Sequence, residues 1–202
     1  MTAHYYDEEQ SSPARFEHVS FFVLGKEFSF MTGSGTFSRT GLDSATKLLI
    51  TACSSLRGDE ALLDLGCGWG AIGLCLKAVN PGVRVMMSDV NERALLLAKK
   101  NAAALELEVD VRRSDAFERI PEQFDLILTN PPYAAGREVC YRFIDEAYDH
   151  LLPGGSLLLV ARHQKGGAML ERRIRDVFGA SETITKKGGF RVYKGTKKAL
   201  SV

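Results

Sequence analysis

Between residues 61 and 193, short apolar runs alternate with segments of helical spacing, and each run closes on residues that continue neither a ladder nor a helix. The runs cover residues 61–65, 84–88, 109–112, 124–128 and 156–161. The helical stretches end near residue 79 or cover 92–104 (after Asn91 as N-cap), 138–151 (stopped by Pro153-Gly154-Gly155) and 168–178. Strands that each hand over to a helix lie parallel, because a crossover is needed to return to the same edge. The alternation therefore predicts a doubly wound α/β sheet. Two closing β segments, residues 182–185 and 190–193, flank Gly188-Gly189 and add one antiparallel strand, for seven strands in a mostly parallel sheet. Ahead of the alternation, residues 19–24 and 27–31 are β-prone and joined at Gly25-Lys26, a two-residue hairpin signal. Residues 42–56 predict a helix with Asp43 or Ser44 near its start. The expected division is a mobile arm at 1–17, then one domain at 18–202: the hairpin and helix (18–56) and the sheet-bearing core (57–195).

A chain of 202 residues with 45% apolar and 25% charged side chains can bury one full core. It has no apolar run of membrane-span length. The leading MTAHYYDEEQSS lacks the basic-then-apolar pattern of a secretion signal, so a cytoplasmic protein is expected. Cys53, Cys67, Cys75 and Cys140 form no CxxC pair and no His/Cys cluster, which argues for free thiols and against a metal site. The net charge of +1 hides an asymmetry. Residues 162–202 hold 11 Lys+Arg and 3 Asp+Glu, a net of +8, and the remainder nets −7. A basic quarter on an acidic body is either a solvated face with a basic tail or a surface that meets a polyanion.

Chemistry concentrates where the runs end, the edge at which open α/β sheets bind ligands. The first run ends in Asp64-Leu65-Gly66-Cys67-Gly68-Trp69-Gly70, a turn whose glycines let the backbone approach a ligand closely. NAD-binding folds use a similar turn. Asp64 could face a ligand ammonium or the backbone around it, and a dinucleotide site requires neither. Asp89 ends the second run, 23 residues after Gly66, where a carboxylate can accept both hydroxyls of a ribose. Asp115 ends the third, placed to accept from the exocyclic amine of an adenine. Each aspartate alone reads as a turn or cap residue. Three at consecutive run ends describe a site for an adenosine bearing a short charged tail. Asn130-Pro131-Pro132-Tyr133 ends the fourth run. Neither proline has an N–H, so the ladder stops, and Pro131 holds Asn130 extended. The stiff loop offers an amide side chain, a proline carbonyl and an aromatic ring, a set suited to holding a planar nitrogen nucleophile by its N–H groups.

Together these motifs resemble the class I S-adenosylmethionine-dependent methyltransferases, over about residues 35–193. Residues 35–50 (GTFSRTGLDSATKLLI), the N-terminal hairpin and residues 188–194 (GGFRVYK) look more narrowly like bacterial guanine-N2 methyltransferases of small-subunit ribosomal RNA. With no room for a second methyltransferase half, the chain is more similar to stand-alone members of the methyltransferase small domain group. The resemblance implies a Rossmann-like fold, S-adenosylmethionine as cofactor, and ribosomal RNA or the small ribosomal subunit as partner, with no metal and no membrane. It implies that Asn130 and the Pro131 carbonyl accept the N–H groups of the amine while Tyr133 stacks on the base. Asp64, Gly66, Gly68 and Gly70 would hold the methionine moiety, Asp89 the ribose and Asp115 the adenine. Asn130, Phe37, Ser38 and Asp43 would wall the methyl end, although Asp43 also reads as a helix cap. Arg137, Lys165, Arg172, Arg173, Lys186 and Lys187 are the expected phosphate-gripping residues. Release-factor glutamine-N5 methyltransferases also use Asn-Pro-Pro-Tyr, because a side-chain amide poses the same problem as a base amine. They carry a helical N-terminal domain, where this chain reads as a hairpin and one helix. A non-catalytic rRNA-binding assembly module is the alternative from another class, opposed by the intact Asn130 and glycine loop.

Overall fold

The computed structural model describes residues 16–33 and 41–199. β1 (Phe16–Val23) and β2 (Lys26–Gly33) pair antiparallel, with Phe16 opposite Gly33 and Val23 opposite Lys26. The loop residues are therefore Leu24 and Gly25, one position before the predicted Gly25-Lys26. Both have positive φ, 53° and 73°, as the hairpin turn that follows strand twist demands. Leu24 takes a conformation that leucine rarely adopts, so nothing in its side chain marks the turn. Phe21 and Phe30 pack on Trp69, and Phe28 packs on both phenylalanines, with ring centroids 5.1–6.1 Å apart. The Asn101 side chain locks the hairpin down: its amide donates to the carbonyls of Met31 and Trp69 at 2.9 Å and accepts from the Met31 N–H at 2.7 Å.

α1 (Ser44–Ala52) is shorter than the predicted 42–56. Asp43 starts it as N-cap, and Ser54-Ser55, which compete for backbone bonds, follow its end. The sheet then forms from β3 (Ala61–Leu65), β4 (Arg84–Asp89), β5 (Asp110–Arg113), β6 (Phe124–Thr129), β7 (Leu151–Arg162), β8 (Glu182–Lys187) and β9 (Phe190–Thr196). Interleaved are α2 (Ala71–Val79), α3 (Glu92–Ala104), α4 (Arg137–Asp149) and α5 (Ala168–Phe178). The strand order is β5-β4-β3-β6-β7-β9-β8, with β9 antiparallel to its neighbours. This is the predicted seven-stranded sheet with one antiparallel strand. Leu62, Leu63 and Leu65 are essentially inaccessible, as expected for a strand covered on both faces. The hairpin and α1–α3 pack on one face, and α4 and α5 on the other.

Pro153-Gly154-Gly155 does not lie between elements as predicted. α4 ends earlier, at Asp149, and the tripeptide is absorbed into β7 as an irregularity, where the register on β6 shifts between Phe124 and Leu126. A Cβ on Gly155 would stand 2.9 Å from two backbone oxygens, so the glycine answers a close approach of chains rather than a stop. No helix among the described residues is long and apolar enough to cross a membrane.

Strands add in one direction from β3 to β5 and in the other from β6 onward. The carboxyl ends of β3 and β6 therefore diverge into a crevice, the switch point of the sheet.

Candidate active site

The crevice opens into a cavity of about 700 Å³. It reaches from Ser114 and Ala116 after β5, past the glycine loop, to Asn130–Tyr133 after β6 and Arg162 at the end of β7. Gly66, Gly68 and Gly70 all have positive φ (72°, 57° and 90°). The N–H groups of Gly66 and Cys67 both donate to the Ser88 carbonyl at 2.9 Å, which ties the loop to β4. At Gly70 a side chain would be strained, and its Cβ would crowd Leu74 at 3.0 Å. Ala71 and Ile72 then bring the N-terminus of α2 to the cavity wall, a setting that suits a ligand carboxylate.

Asp89 is buried and lines the cavity. Its Oδ2 accepts from the Gly68 N–H and its Oδ1 from the Asn91 N–H, each at 2.9 Å. A carboxylate accommodates about four such bonds, so this one can hold the loop and also accept from a diol. The glycine loop, the helix N-terminus and Asp89 together fit an adenosyl amino acid.

Asp64 does not line the cavity. It lies beneath the loop, where Oδ2 accepts from the Gly73 N–H at 2.9 Å and Oδ1 has no hydrogen-bond partner among the described residues. Of its two possible partners, the backbone is the one found. Burial pushes its carboxyl up to about 7, and the neighbouring Asp89 adds to the rise while the Gly73 N–H opposes it. The folded protein therefore keeps a proton that the unfolded chain releases at much lower pH, and stability falls as pH rises toward 7. Asp64→Asn cannot titrate. In the apo protein it should flatten the decline in melting temperature between about pH 4 and 7; equal slopes in calorimetry would refute the assignment.

Asp115 is also placed differently from expectation. Ser114 and Ala116 line the main cavity, while Asp115 lines a small adjoining cleft of about 150 Å³ and pairs with Arg142 of α4. The chain bends at Ala116 (φ 48°), and a cation from a later helix meets the carboxylate there. Phe37 and Ser38 lie outside the described residues.

Asn130, Pro131 and Tyr133 do converge on the cavity. The Pro131 carbonyl accepts from the Tyr133 N–H at 2.9 Å and keeps a second lone pair. Asn130 Nδ2 donates to Thr46 Oγ1 at 3.0 Å. Tyr133 is 39% exposed, and its ring passes Gly166 in the turn after β7. Partial burial holds its hydroxyl well above the usual phenol range.

Among the lining residues that the sequence did not mark are Thr46 of α1, Arg162, which ends β7, and Phe190, which starts β9. Antiparallel pairing sets Arg162 and Phe190 opposite each other, with the guanidinium 4.9 Å from the ring centroid. Only that register, which a single sequence does not reveal, brings both to the carboxyl edge. Lys165 lines the cavity as predicted. Lys186 and Lys187 are exposed at the end of β8, opposite Arg191 and Phe190, on the same edge. Arg173 departs from expectation: its guanidinium grips Asp145 through two bonds of 2.6 Å and joins α5 to α4. Arg137 is exposed near Glu138 at 3.7 Å, and Arg172 is exposed on α5. Among the described residues no group of three or more His, Cys, Asp or Glu is arranged to hold a metal.

A nucleoside-sized cavity at the switch point, faced by an amide on a double-proline loop, is the layout of a Rossmann-like methyltransferase. Residues 27–194 match the methyltransferase small domain, and the chain belongs to that family. It is 32% identical over 200 residues to the uncharacterised protein YbxB of Bacillus subtilis, covering 98% of this chain and 100% of that one. It is 37% identical over 164 residues to ribosomal RNA small subunit methyltransferase C of Mannheimia succiniciproducens, covering 79% of this chain and 48% of that one. The chain thus spans about half the length of the methyltransferases C that it matches. Among solved structures, the T. thermophilus 16S rRNA N2 G1207 methyltransferase RsmC, in complex with AdoMet and guanosine, superposes with a TM-score of 0.81 at 29% identity. That match covers 92% of this chain and 52% of RsmC. A Pyrococcus furiosus methyltransferase shares the fold at a TM-score of 0.66 and 24% identity, over 77% of this chain and 84% of that one.

Proposed function

We propose that this chain methylates the exocyclic N2 of a guanine in small-subunit (16S) ribosomal RNA, using S-adenosylmethionine. One observation carries the reading: Asn130 and Pro131, neighbours in the double-proline loop, both line the cavity that Asp89 and the glycine loop also line, and the Asn130 amide oxygen and the Pro131 carbonyl are the two acceptors they can offer. Two acceptors match the two N–H groups of an amine. The likeness to enzymes that act on 16S rRNA supports the choice of base.

Bound S-adenosylmethionine supplies an electrophilic methyl group on a sulfonium. The remaining work belongs to the chain. Asp89 accepts from the ribose hydroxyls, while the glycine loop lets the ligand approach the backbone closely and the start of α2 faces the amino-acid end. Asn130 Oδ1 and the Pro131 carbonyl accept from the amine. They turn its lone pair toward the methyl and stabilise the positive charge that develops on nitrogen. The nitrogen gains the methyl as the methyl's bond to sulfur breaks, which would leave a neutral thioether, and it sheds one proton to water. No base is needed beforehand, because the amine becomes acidic once methylated. Tyr133 offers its ring to the base, a contact worth about 1–3 kcal/mol. The guanine must be unpaired or flipped out to enter, and Arg162, Lys165, Lys186 and Lys187 meet the phosphates around it.

The test is incubation with labelled S-adenosylmethionine, small subunits from a strain lacking the protein, and purified release factors. Label is expected on a guanine of the RNA. Label on a release factor and none on RNA would replace this reading with glutamine methylation. For the basic rim, Arg162→Glu combined with Lys187→Glu should weaken RNA binding and lower the slope of log affinity against log salt by about 1.5. An unchanged slope would move the RNA to another face.

A further inference from the structure

The donors and acceptors around Asn130 are consistent with only one arrangement. Asp43 caps α1, and its Oδ1 accepts from the N–H groups of Ala45 and Thr46 at 2.9 and 3.1 Å. Its Oδ2 lies 2.5 Å from Thr46 Oγ1. A carboxylate accepts and does not donate, so the hydroxyl proton of Thr46 points to Asp43. Thr46 Oγ1 then has only lone pairs to offer the Asn130 amide, 3.0 Å away. Only the Nδ2 end of that amide can donate to it, so Oδ1 is turned away from Thr46. The reversed amide would set its oxygen against the lone pairs of Thr46 Oγ1, acceptor against acceptor. Thr46 is only 6% exposed, which leaves little room for a water to take over its role.

We propose that Thr46 is a positioning residue: its hydroxyl, anchored by Asp43, fixes the Asn130 side chain so that the amide oxygen, and not the nitrogen, meets the acceptor amine. The proposal rests on the reading of Asn130 as the group that accepts from that amine. With the amide reversed, an NH₂ group would face another NH₂ group, donor against donor, and the amine would lose one of its two acceptors. The helix cap of α1 is thus part of the methyl-transfer site. Asp43 and Thr46 both line the cavity, and their contribution acts through orientation rather than through the reacting atoms.

Thr46→Val tests the relay, since it exchanges the hydroxyl for a methyl of the same shape and keeps the backbone N–H that caps onto Asp43. Turnover on small ribosomal subunits should fall about 10-fold with the KM for S-adenosylmethionine unchanged, and Thr46→Ser should recover most of the loss. In an Asn130→Ala background the same substitution should cost less than about twofold, because a residue that acts only through Asn130 has nothing left to orient. A second readout needs no acceptor. The side-chain amide signals of Asn130, assigned by their loss in Asn130→Ala, should show slowed hydrogen exchange in the parent and in Thr46→Ser, and lose it in Thr46→Val. Parent-like turnover with unchanged amide signals would overturn the relay, as would equal losses in both backgrounds. If the parent itself labels no subunit, the acceptor reading fails, and the amide signals still decide the relay.

Discussion

Asn130→Ala should lower turnover by at least about 100-fold while leaving the affinity for S-adenosylmethionine within about twofold of the parent, the pattern for losing a preorganised polar contact aimed at developing charge. Asn130 sits at the end of β6, where Pro131 and Pro132 prevent the backbone from relaxing, so removing its side chain leaves the loop in place. The residues proposed to hold the cofactor are on other elements: the glycine loop after β3, the start of α2, and Asp89 at the end of β4. The amine would keep only the Pro131 carbonyl, and its lone pair would stay delocalised into the base. Single-turnover rates and calorimetric binding on the same preparation separate the two quantities. Turnover near that of the parent would end the proposed role of Asn130, and with it the case for an amine held by this loop. A parallel loss of cofactor affinity would instead make Asn130 mainly a cofactor-binding residue.

The elements that flank this site were legible wherever local chemistry alone decides them. Residues 61–65 form a strand as predicted, because five apolar-dominated residues end on glycines that only a turn tolerates. Asn91 caps α3, and its side chain accepts from the N–H groups of Arg93 and Ala94, the bonding that makes asparagine readable at that position. What escaped was decided by partners distant in sequence. Arg162 and Phe190 reach the cavity through antiparallel pairing across 28 residues. Arg173 meets Asp145 because α5 and α4 pack on the same face of the sheet, and Asp115 meets Arg142 because α4 lies beside the loop that follows β5. A pattern that marks a charged residue at a strand end or on a helix face does not say which neighbour neutralises it. Asp64 shows the same limit at short range: its position before the glycine loop was visible, but whether it looks into the cavity or under the loop depends on the fold of Gly66–Gly73 around it. Leu24, in a conformation that favours glycine and asparagine, carries no sequence mark of its turn at all.

Asp89→Ala should raise the Kd for S-adenosylmethionine at least about 100-fold, since hydrogen bonds to a charged acceptor are worth roughly 1.5–3 kcal/mol each and a ribose offers two. The substitution also strips the Gly68 and Asn91 N–H groups of their acceptor, so the loop should loosen and the apo protein melt at a lower temperature. Asp89→Asn is not the mild control it seems. The Gly68 N–H bonds to one carboxylate oxygen and the Asn91 N–H to the other, so an amide in either orientation sets its NH₂ against a backbone donor. It should therefore weaken binding substantially as well, even though its shape is unchanged. Loop damage and lost ribose contacts can be told apart with a cofactor analogue lacking the 2′-hydroxyl. The parent should bind that analogue about 10-fold more weakly than S-adenosylmethionine, whereas Asp89→Ala, having no carboxylate to offer, should bind the two within about twofold of each other. Equal discrimination by parent and variant would show that Asp89 supports the loop alone, and would place the ribose against other residues of the cavity.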